Sequence, residues 1–300
     1  MVETVKEMKW AITGAGGQLG RELSEVLQTL GQGLDSWNKN EMNIAHESCI
    51  KKIVEAKPDL IVNCAAWTDV EQAEFEPKKA FEVNQQGVIH VATAAKELGV
   101  PLVHISTDYV FSGESFRPWR ISDQAEPKTT YGQSKLAGER ELLSIYPEGS
   151  YVVRTAWLYS KFGSNFPKAI IKRVLNESRD IAVVQDQVGQ PTSAKDLSLQ
   201  IVRMIDCQLP FGVYHATNSG EVSWFEFSQY ILHLMGMSPN KIVGVQTNQY
   251  MSKSSRPRYS VLDHSHWNFT KLLPMRNWKI AFHEIFNEIF ESAKEEIKYG

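Results

Sequence analysis

At 300 residues, with 42% apolar and 22% charged side chains, 19 Gly and 12 Pro, the chain has ordinary globular composition and the length of one large or two closely joined domains; collagenous, disordered and disulfide-framework classes are excluded. Thirty-two Lys and Arg against 35 Asp and Glu leave a formal charge of −3 with the charges scattered, so the basic stripe that nucleic-acid binding needs is missing. Cys49, Cys64 and Cys207 show no CxxC or Cys/His spacing, which argues against disulfides and a metal site and favours a reducing, cytoplasmic setting; the mixed Glu and Lys of residues 1–8 and the polar Asn63 inside the longest apolar stretch predict neither signal peptide nor membrane span.

Residues 10–13 form a short apolar run closed by Gly14-Ala15-Gly16-Gly17-Gln18-Leu19-Gly20, after which Leu19, Leu23, Val26, Leu27 and Leu30 recur at helical spacing. That reads as strand, glycine turn, helix. A helix over 48–56 follows, then a strand at 60–63 and a long helical pattern from Pro77 to Leu98-Gly99. The alternation continues with strand 102–106, helix 134–145, strand 151–153, helix 167–175, strand 181–184 and helix 194–205. It predicts an α/β fold, a Rossmann-type doubly wound parallel sheet covered on both faces. After about Asn165 the pattern loosens, with helices at 223–235 and 278–297. Residues 1–165 are therefore expected to form mainly a dinucleotide-binding domain, and 166–300 mainly a smaller, interleaved C-terminal substrate-binding lobe with segments returning to the first domain.

Gly14, Gly17 and Gly20 stand where a strand hands over to a helix, so backbone N–H groups at the helix N-terminus can approach an anionic pyrophosphate with no Cβ in the way. A plain tight turn is the bland alternative. The second strand should end near an adenosine ribose, and two registers are open. Asp35 would bind the 2′-hydroxyl of NAD(H), whereas Asn38-Lys39 would accept the 2′-phosphate of NADP(H). An ungapped reading from Leu30-Gly31 to Ile44 favours the second and hence NADPH, with NADH as the alternative.

Tyr131 and Lys135 stand four apart on one helix face, so an ammonium can stabilise a phenolate, and Ser106-Thr107 ends a buried strand at the sheet edge where ligands of such folds bind. The pattern is that of a general acid with a hydrogen-bonding neighbour. Chance spacing of Tyr and Lys is the competing explanation. His104, inside the same strand, reads as a satisfied core histidine.

The glycine turn with Tyr131-x-x-x-Lys135 resembles the extended short-chain dehydrogenase/reductase superfamily, with Thr107 as its Ser/Thr. Asn63-Cys64-Ala65-Ala66-Trp67-Thr68, Ser106-Thr107-Asp108-Tyr109-Val110-Phe111, Arg154-Thr155-x-Trp157, Asp186-Gln187-x-Gly189-x-Pro191-Thr192 and Ser255-Arg256-Pro257 narrow it to the dTDP-4-dehydrorhamnose reductase family. The resemblance implies an oxidoreductase that reduces the C4 ketone of dTDP-4-dehydro-6-deoxy-L-mannose to dTDP-L-rhamnose with NAD(P)H, for cell-surface polysaccharide biosynthesis. Tyr131 would protonate the carbonyl oxygen, Lys135 would hold the nicotinamide ribose and lower the tyrosine pKa, and Thr107 would polarise the same oxygen.

In the same resemblance Gly17, Gln18 and Leu19 line the pyrophosphate, Asn43 and Ile44 the adenine, and Ala65, Ala66, Trp67 and Thr68 the middle of the cofactor. Tyr109, Trp157, Asn165, Gln190 and Arg256 contact the nucleotide sugar, with core packing the alternative for Tyr109 and Trp157. Asn43, Ser112 and Tyr259 depart from the usual family pattern, and Tyr259 opens the choice of sugar nucleotide. In some members Mg2+ bridges subunits, which makes a homodimer a candidate assembly, although no residue pattern here indicates the metal. A dehydratase on this scaffold carries an Asp-Glu pair after its active-site Thr, whereas Asp108 is followed by Tyr109. Two further alternatives are a reductase of another 4-keto nucleotide sugar and a non-catalytic subunit like the methionine adenosyltransferase β subunit.

Overall fold

A computed structural model describes residues 7–249 and 255–299; most of the 1–8 segment lies outside these residues. The chain runs β1 (Lys9–Thr13), α1 (Gln18–Thr29), β2 (Gly33–Trp37), α2 (Ser48–Ala56), β3 (Leu60–Asn63), α3 (Val70–Phe75), α4 (Pro77–Phe81), α5 (Gly87–Leu98), β4 (Leu102–Thr107), α6 (Thr130–Ile145) and β5 (Ser150–Thr155). It continues through β6 (Leu158–Tyr159), α7 (Phe166–Asn176), β7 (Ile181–Val184), β8 (Val188–Gly189), β9 (Thr192–Ser193), α8 (Ala194–Asp206) and β10 (Gly212–His215). The last elements are β11 (Val222–Ser223), α9 (Trp224–Leu234), β12 (Ile242–Val245) and α10 (Trp278–Tyr299).

Six strands make the main sheet in the order β10-β5-β4-β3-β1-β2, and every pairing in it is parallel. Parallel strands covered on both sides must be apolar on both sides, which is why β3 is buried along its whole length and β5 reads Ser-Tyr-Val-Val-Arg-Thr without an exposed position. One face carries α1 and α8 over Trp10, Ile12, Val62, Val103 and Val153; the other carries α2, α5 and α6 over Ala11, Ile61, Leu102 and Val152. After β1 the chain turns to β2 on one side and then to β3 on the other, so the crevice between the ends of β1 and β3 is the topological switch point where such sheets bind ligands.

Three local features differ from the expectation. The pattern over 77–98 is not one helix: a π-helical turn at Glu82–Gln86 separates α4 from α5. The strand at 181–184 forms, but it pairs with β12 away from the main sheet, because β10 already occupies the edge beside β5. The sheet helix expected from Ser134 begins at Thr130, where the hydroxyl of Thr129 accepts the backbone N–H of Gly132 at 3.0 Å and ends the fraying that a sequence period cannot locate.

A second core holds α7, α9 and α10 together through Tyr159, Ile170, Phe227, Trp278, Phe282 and Ile289. Residues beyond 165 also return to the first core. β10 pairs with β5, and α8 buries Leu197 and Ile201 with Leu23 and Leu27 of α1. No helix among the described residues is long and apolar enough to cross a membrane.

Candidate active site

The glycine turn between β1 and α1 is built by two requirements. Gly14 has φ +70°, and a Cβ there would stand 2.5 Å from the backbone N of Ala65, so the β1 and β3 loops touch only because position 14 is bare. Gly20 meets the carbonyl of Gly14 in the same way, at 2.5 Å for a Cβ. At Gly17 the nearest such contact is an ordinary 3.4 Å, so nothing within the protein demands a glycine; this residue caps α1 with no side-chain acceptor and leaves the first N–H groups of a 12-residue helix to a ligand. A dinucleotide diphosphate fits that cradle. Leu19 is core, so it would contribute its N–H alone, and the Gln18 amide oxygen accepts from Asn165 Nδ2 at 3.1 Å.

β2 ends at Trp37, so Asn38 and Lys39 follow it directly, while Asp35 lies within the strand and pairs with Lys9 at 2.8 Å. A Cβ on Gly16 would stand 3.2 Å from Asn38 Cβ, which brings Asn38 against the glycine turn, and Lys39 is exposed beside it. Asn43 turns its side chain to its own loop, accepting from Ala45 N at 3.1 Å. Ile44 differs from the expectation that it faces a ligand. Its side chain is buried under α2 and α5, in contact range of Gly87, and its carbonyl is engaged by His90 Nδ1 at 2.8 Å.

Thr107 closes β4 and Tyr131 stands in the first turn of α6, so both face the C-terminal edge of the sheet. Thr107 stands beside the Tyr131 phenol and acts on its titration. Burial pushes the phenol well above its ordinary range; Thr107 opposes this, and Asp108 and Tyr109 add to it. The rings of Tyr109 and Tyr131 meet edge to face at 5.5 Å. Gly132 allows the approach, since a Cβ there would fall 2.2 Å from the Tyr109 carbonyl.

Lys135 is 2% exposed. Its Nζ donates to the carbonyl of Ile105 at 2.7 Å and lies 3.5 Å from His104 Nε2. Burial pushes it down to about 8, against Glu139 and Cys64, which favour the cation. One turn along, Glu139 is held by Arg154 of β5 through bonds of 2.7 to 3.2 Å, a buried pair that ties α6 to the sheet.

The loop after β3 is fastened by a residue that sequence reading did not single out. Asn84 accepts from the backbone N of Trp67 at 2.8 Å, donates to its carbonyl at 3.0 Å and donates to Ser134 Oγ at 2.9 Å. The π turn places that amide, and the break in apolar spacing at Glu82 to Gln86 is the signal that marks it. Ala65 and Ala66 are half-buried on this loop and Thr68 is exposed. Asp108 was also missed. It accepts from Thr107 Oγ1 at 2.9 Å while its Oδ2 is buried without a hydrogen-bond partner, and burial is the main influence that pushes its pKa up to about 6.

Among the residues expected at the sugar, Tyr109 joins Thr107 and Tyr131 directly. Trp157 follows β5, has φ +48°, and stacks on Trp224 with ring centroids 3.3 Å apart and planes 7° from parallel. It also lies on Gly189, where a Cβ would stand 2.5 Å from Trp157 Cε2. Asn165 caps α7, accepting from Lys168 N at 3.2 Å and donating to Ser160 O at 2.7 Å. Gln190 is buried as a clamp, its oxygen accepting from Thr217 Oγ1 and Leu262 N, both at 2.8 Å. Both amides are thus committed to the framework. Arg256 is exposed and faces Glu71 at 3.8 Å. Among the described residues, no group of three or more His, Cys, Asp or Glu is placed to hold a metal ion.

Residues 8–290 match the family model described as RmlD substrate binding domain. The chain is 39% identical over 283 residues to a dTDP-4-dehydrorhamnose reductase of Streptomyces griseus, covering 93% of each chain. It is 36% identical to the dTDP-4-keto-6-deoxy-D-glucose reductase of Streptomyces niveus, over 93% of this chain and 96% of that one. It superimposes on the crystal structure of a Bacillus anthracis dTDP-4-dehydrorhamnose reductase in complex with NADP with a TM-score of 0.89 and 37% identity, over 94% and 99% of the two chains.

Proposed function

The chain belongs to the family described by the RmlD substrate binding domain, and from that premise we propose that it is an NADPH-dependent reductase of a dTDP-4-dehydro-6-deoxy sugar, dTDP-4-dehydrorhamnose first. One observation carries this reading: Thr107 and Tyr131 stand together at the end of β4 and the start of α6 beside a buried Lys135, at the edge that also holds the glycine turn.

Bound on that turn, NADPH would supply the hydride to C4 of the ketone. Tyr131 would give its phenolic proton to the carbonyl oxygen, completing the alcohol, with Thr107 polarising the same oxygen. Lys135 would hold the nicotinamide ribose, and Asn38 with Lys39 would receive the 2′-phosphate. The stacked Trp157 and Trp224 would wall the sugar, with Tyr109 and Arg256 on its other flank. Residues 1–165 then serve mainly the cofactor and 166–300 mainly the sugar nucleotide. Cys49, Cys64 and Cys207 form no disulfide, which accords with a cytoplasmic enzyme.

The deciding assay follows NADPH consumption with a panel of 4-keto nucleotide sugars. Consumption with the dTDP-6-deoxy-4-keto substrates and formation of the 4-hydroxy product support the reading. Absence of turnover on the whole panel, with NADPH still bound, would leave a non-catalytic nucleotide-binding subunit instead.

A further inference from the structure

A chain of buried polar contacts leads from Lys135 across three strands. His104 Nε2 faces Lys135 Nζ at 3.5 Å, His104 Nδ1 faces Asn63 Nδ2 at 3.1 Å, and the Asn63 oxygen receives Thr13 Oγ1 at 2.6 Å. The orientation of the Asn63 amide is set by a contact outside this series. The backbone N–H of Ala65, which can only donate, meets Oδ1 at 3.2 Å, so the end turned to His104 is the NH2 group. Nδ1 of His104 must therefore accept, and it carries no hydrogen. His104 is 0% exposed, and burial, together with Lys135, holds its pKa well below the ordinary value, so the ring is neutral. A neutral imidazole with a bare Nδ1 has its hydrogen on Nε2, the atom turned to Lys135.

We propose that His104 is a positioning residue for Lys135, presenting an N–H rather than a lone pair and so favouring the neutral amine over the ammonium. The amine satisfies both neighbours at once: its lone pair accepts from Nε2–H while one of its hydrogens remains on the Ile105 carbonyl. An ammonium would keep the Ile105 bond and turn a donor toward a donor. Burial acts in the same direction and pushes Lys135 down to about 8. The other titratable groups facing Lys135 are Cys64 from the loop after β3 and Glu139 from its own helix, and both favour the cation; Arg154 of β5 neutralises Glu139. Tyr131 is on the same helix face, with Asp108 acting on Tyr131. In the reductase reading, on which this role rests, His104 lets Lys135 release and regain a proton near neutral pH while the Asn63 and Thr13 contacts keep the ring from turning.

Two direct measurements test the coupling, and neither needs substrate. Long-range proton–nitrogen correlation on 15N-histidine protein, with sequential assignment, reads the His104 tautomer in the wild type. The Nε2–H form is expected, and the Nδ1–H form overturns the proposal. Carbon-13 NMR of labelled lysine, with Lys135→Met to assign the signal, reads the Lys135 titration. His104→Gln can turn a carbonyl to the ammonium and should move that midpoint up by about one pH unit, the scale of one buried hydrogen bond. The alkaline limb of kcat/KM should move up with it. A folded His104→Gln protein with an unmoved Lys135 midpoint overturns the proposal. The expected tautomer and shift in a protein that reduces no 4-keto sugar nucleotide would instead sink the reductase reading and leave the His104–Lys135 coupling standing.

Discussion

Gly138 lies so close to Asn84 that a Cβ on it would stand 2.1 Å from the Asn84 carbonyl oxygen. This bare position lets α6 press on the π turn, and the turn's amide in turn fastens the backbone of Trp67. Gly138→Ala should therefore cost about 1–3 kcal/mol of stability, the scale of overpacking a close contact, read as a lower midpoint in denaturant. Because the disturbance passes through Trp67 on the loop proposed to hold the cofactor, KM for NADPH should rise more than KM for the sugar nucleotide. An unchanged midpoint would mean that the helices part without cost.

Tyr131→Phe removes one hydroxyl and little volume. It should lower kcat by roughly 10²- to 10⁴-fold, the range for a positioned general acid, with the NADPH dissociation constant little changed. Turnover near that of the wild type would reject the acid assignment.

Lys39 is exposed at the end of β2, and Asp35 is occupied by Lys9. Selectivity from one exposed cation should be modest, about 1 kcal/mol or less and thus about fivefold in favour of NADPH. Comparison of kcat/KM for both nicotinamides in the wild type and in Lys39→Ala checks this. A wild-type preference for NADH, or a ratio unmoved by the substitution, assigns the choice elsewhere.

The stacking of Trp157 on Trp224 makes the two indoles one wall. Trp157→Ala should reduce kcat/KM for the sugar nucleotide by roughly 10²-fold, as expected when a reacting ring is misplaced, and Trp224→Ala should move it in the same direction by leaving Trp157 unsupported. NADPH affinity, measured by calorimetry, should change less than about twofold in either. Loss of NADPH binding would assign Trp157 to the cofactor or to the core.

Asp108 is the site's acid-sensitive group. Its folded-state pKa is raised from 3.8 to about 6 by burial, so the native state holds the proton more tightly than the unfolded chain. The stability this contributes is fully present below about pH 4 and is lost as pH rises through about 6. Relative to Asp108→Asn, the wild type should lose on the order of 3 kcal/mol across that window. Unfolding midpoints of both proteins between pH 4 and 7 measure it, and parallel curves would mean that Asp108 ionises freely in the fold.

The strands, the glycine turn and the Tyr131–Lys135 spacing were legible in the sequence because each follows from local rules: apolar runs, bare turn positions and a four-residue helical repeat. The place of Asn38 and Lys39 just after β2 was legible for the same reason, since a strand's end depends on residues beside it in the chain. The roles of Asn165, Gln190 and Ile44 were not. Each has a side chain that suits a ligand or a core, and only the fold decides that Asn165 caps α7, that Gln190 clamps residue 262 from 72 positions away, and that Ile44 sinks beneath α5. The π turn that carries Asn84, the withdrawal of β7 from the main sheet and the proton position on His104 belong to the same class. Each depends on partners contributed by distant segments, and a hydrogen-bond direction such as that of Asn63 exists only once the backbone donor of Ala65 has been folded against it.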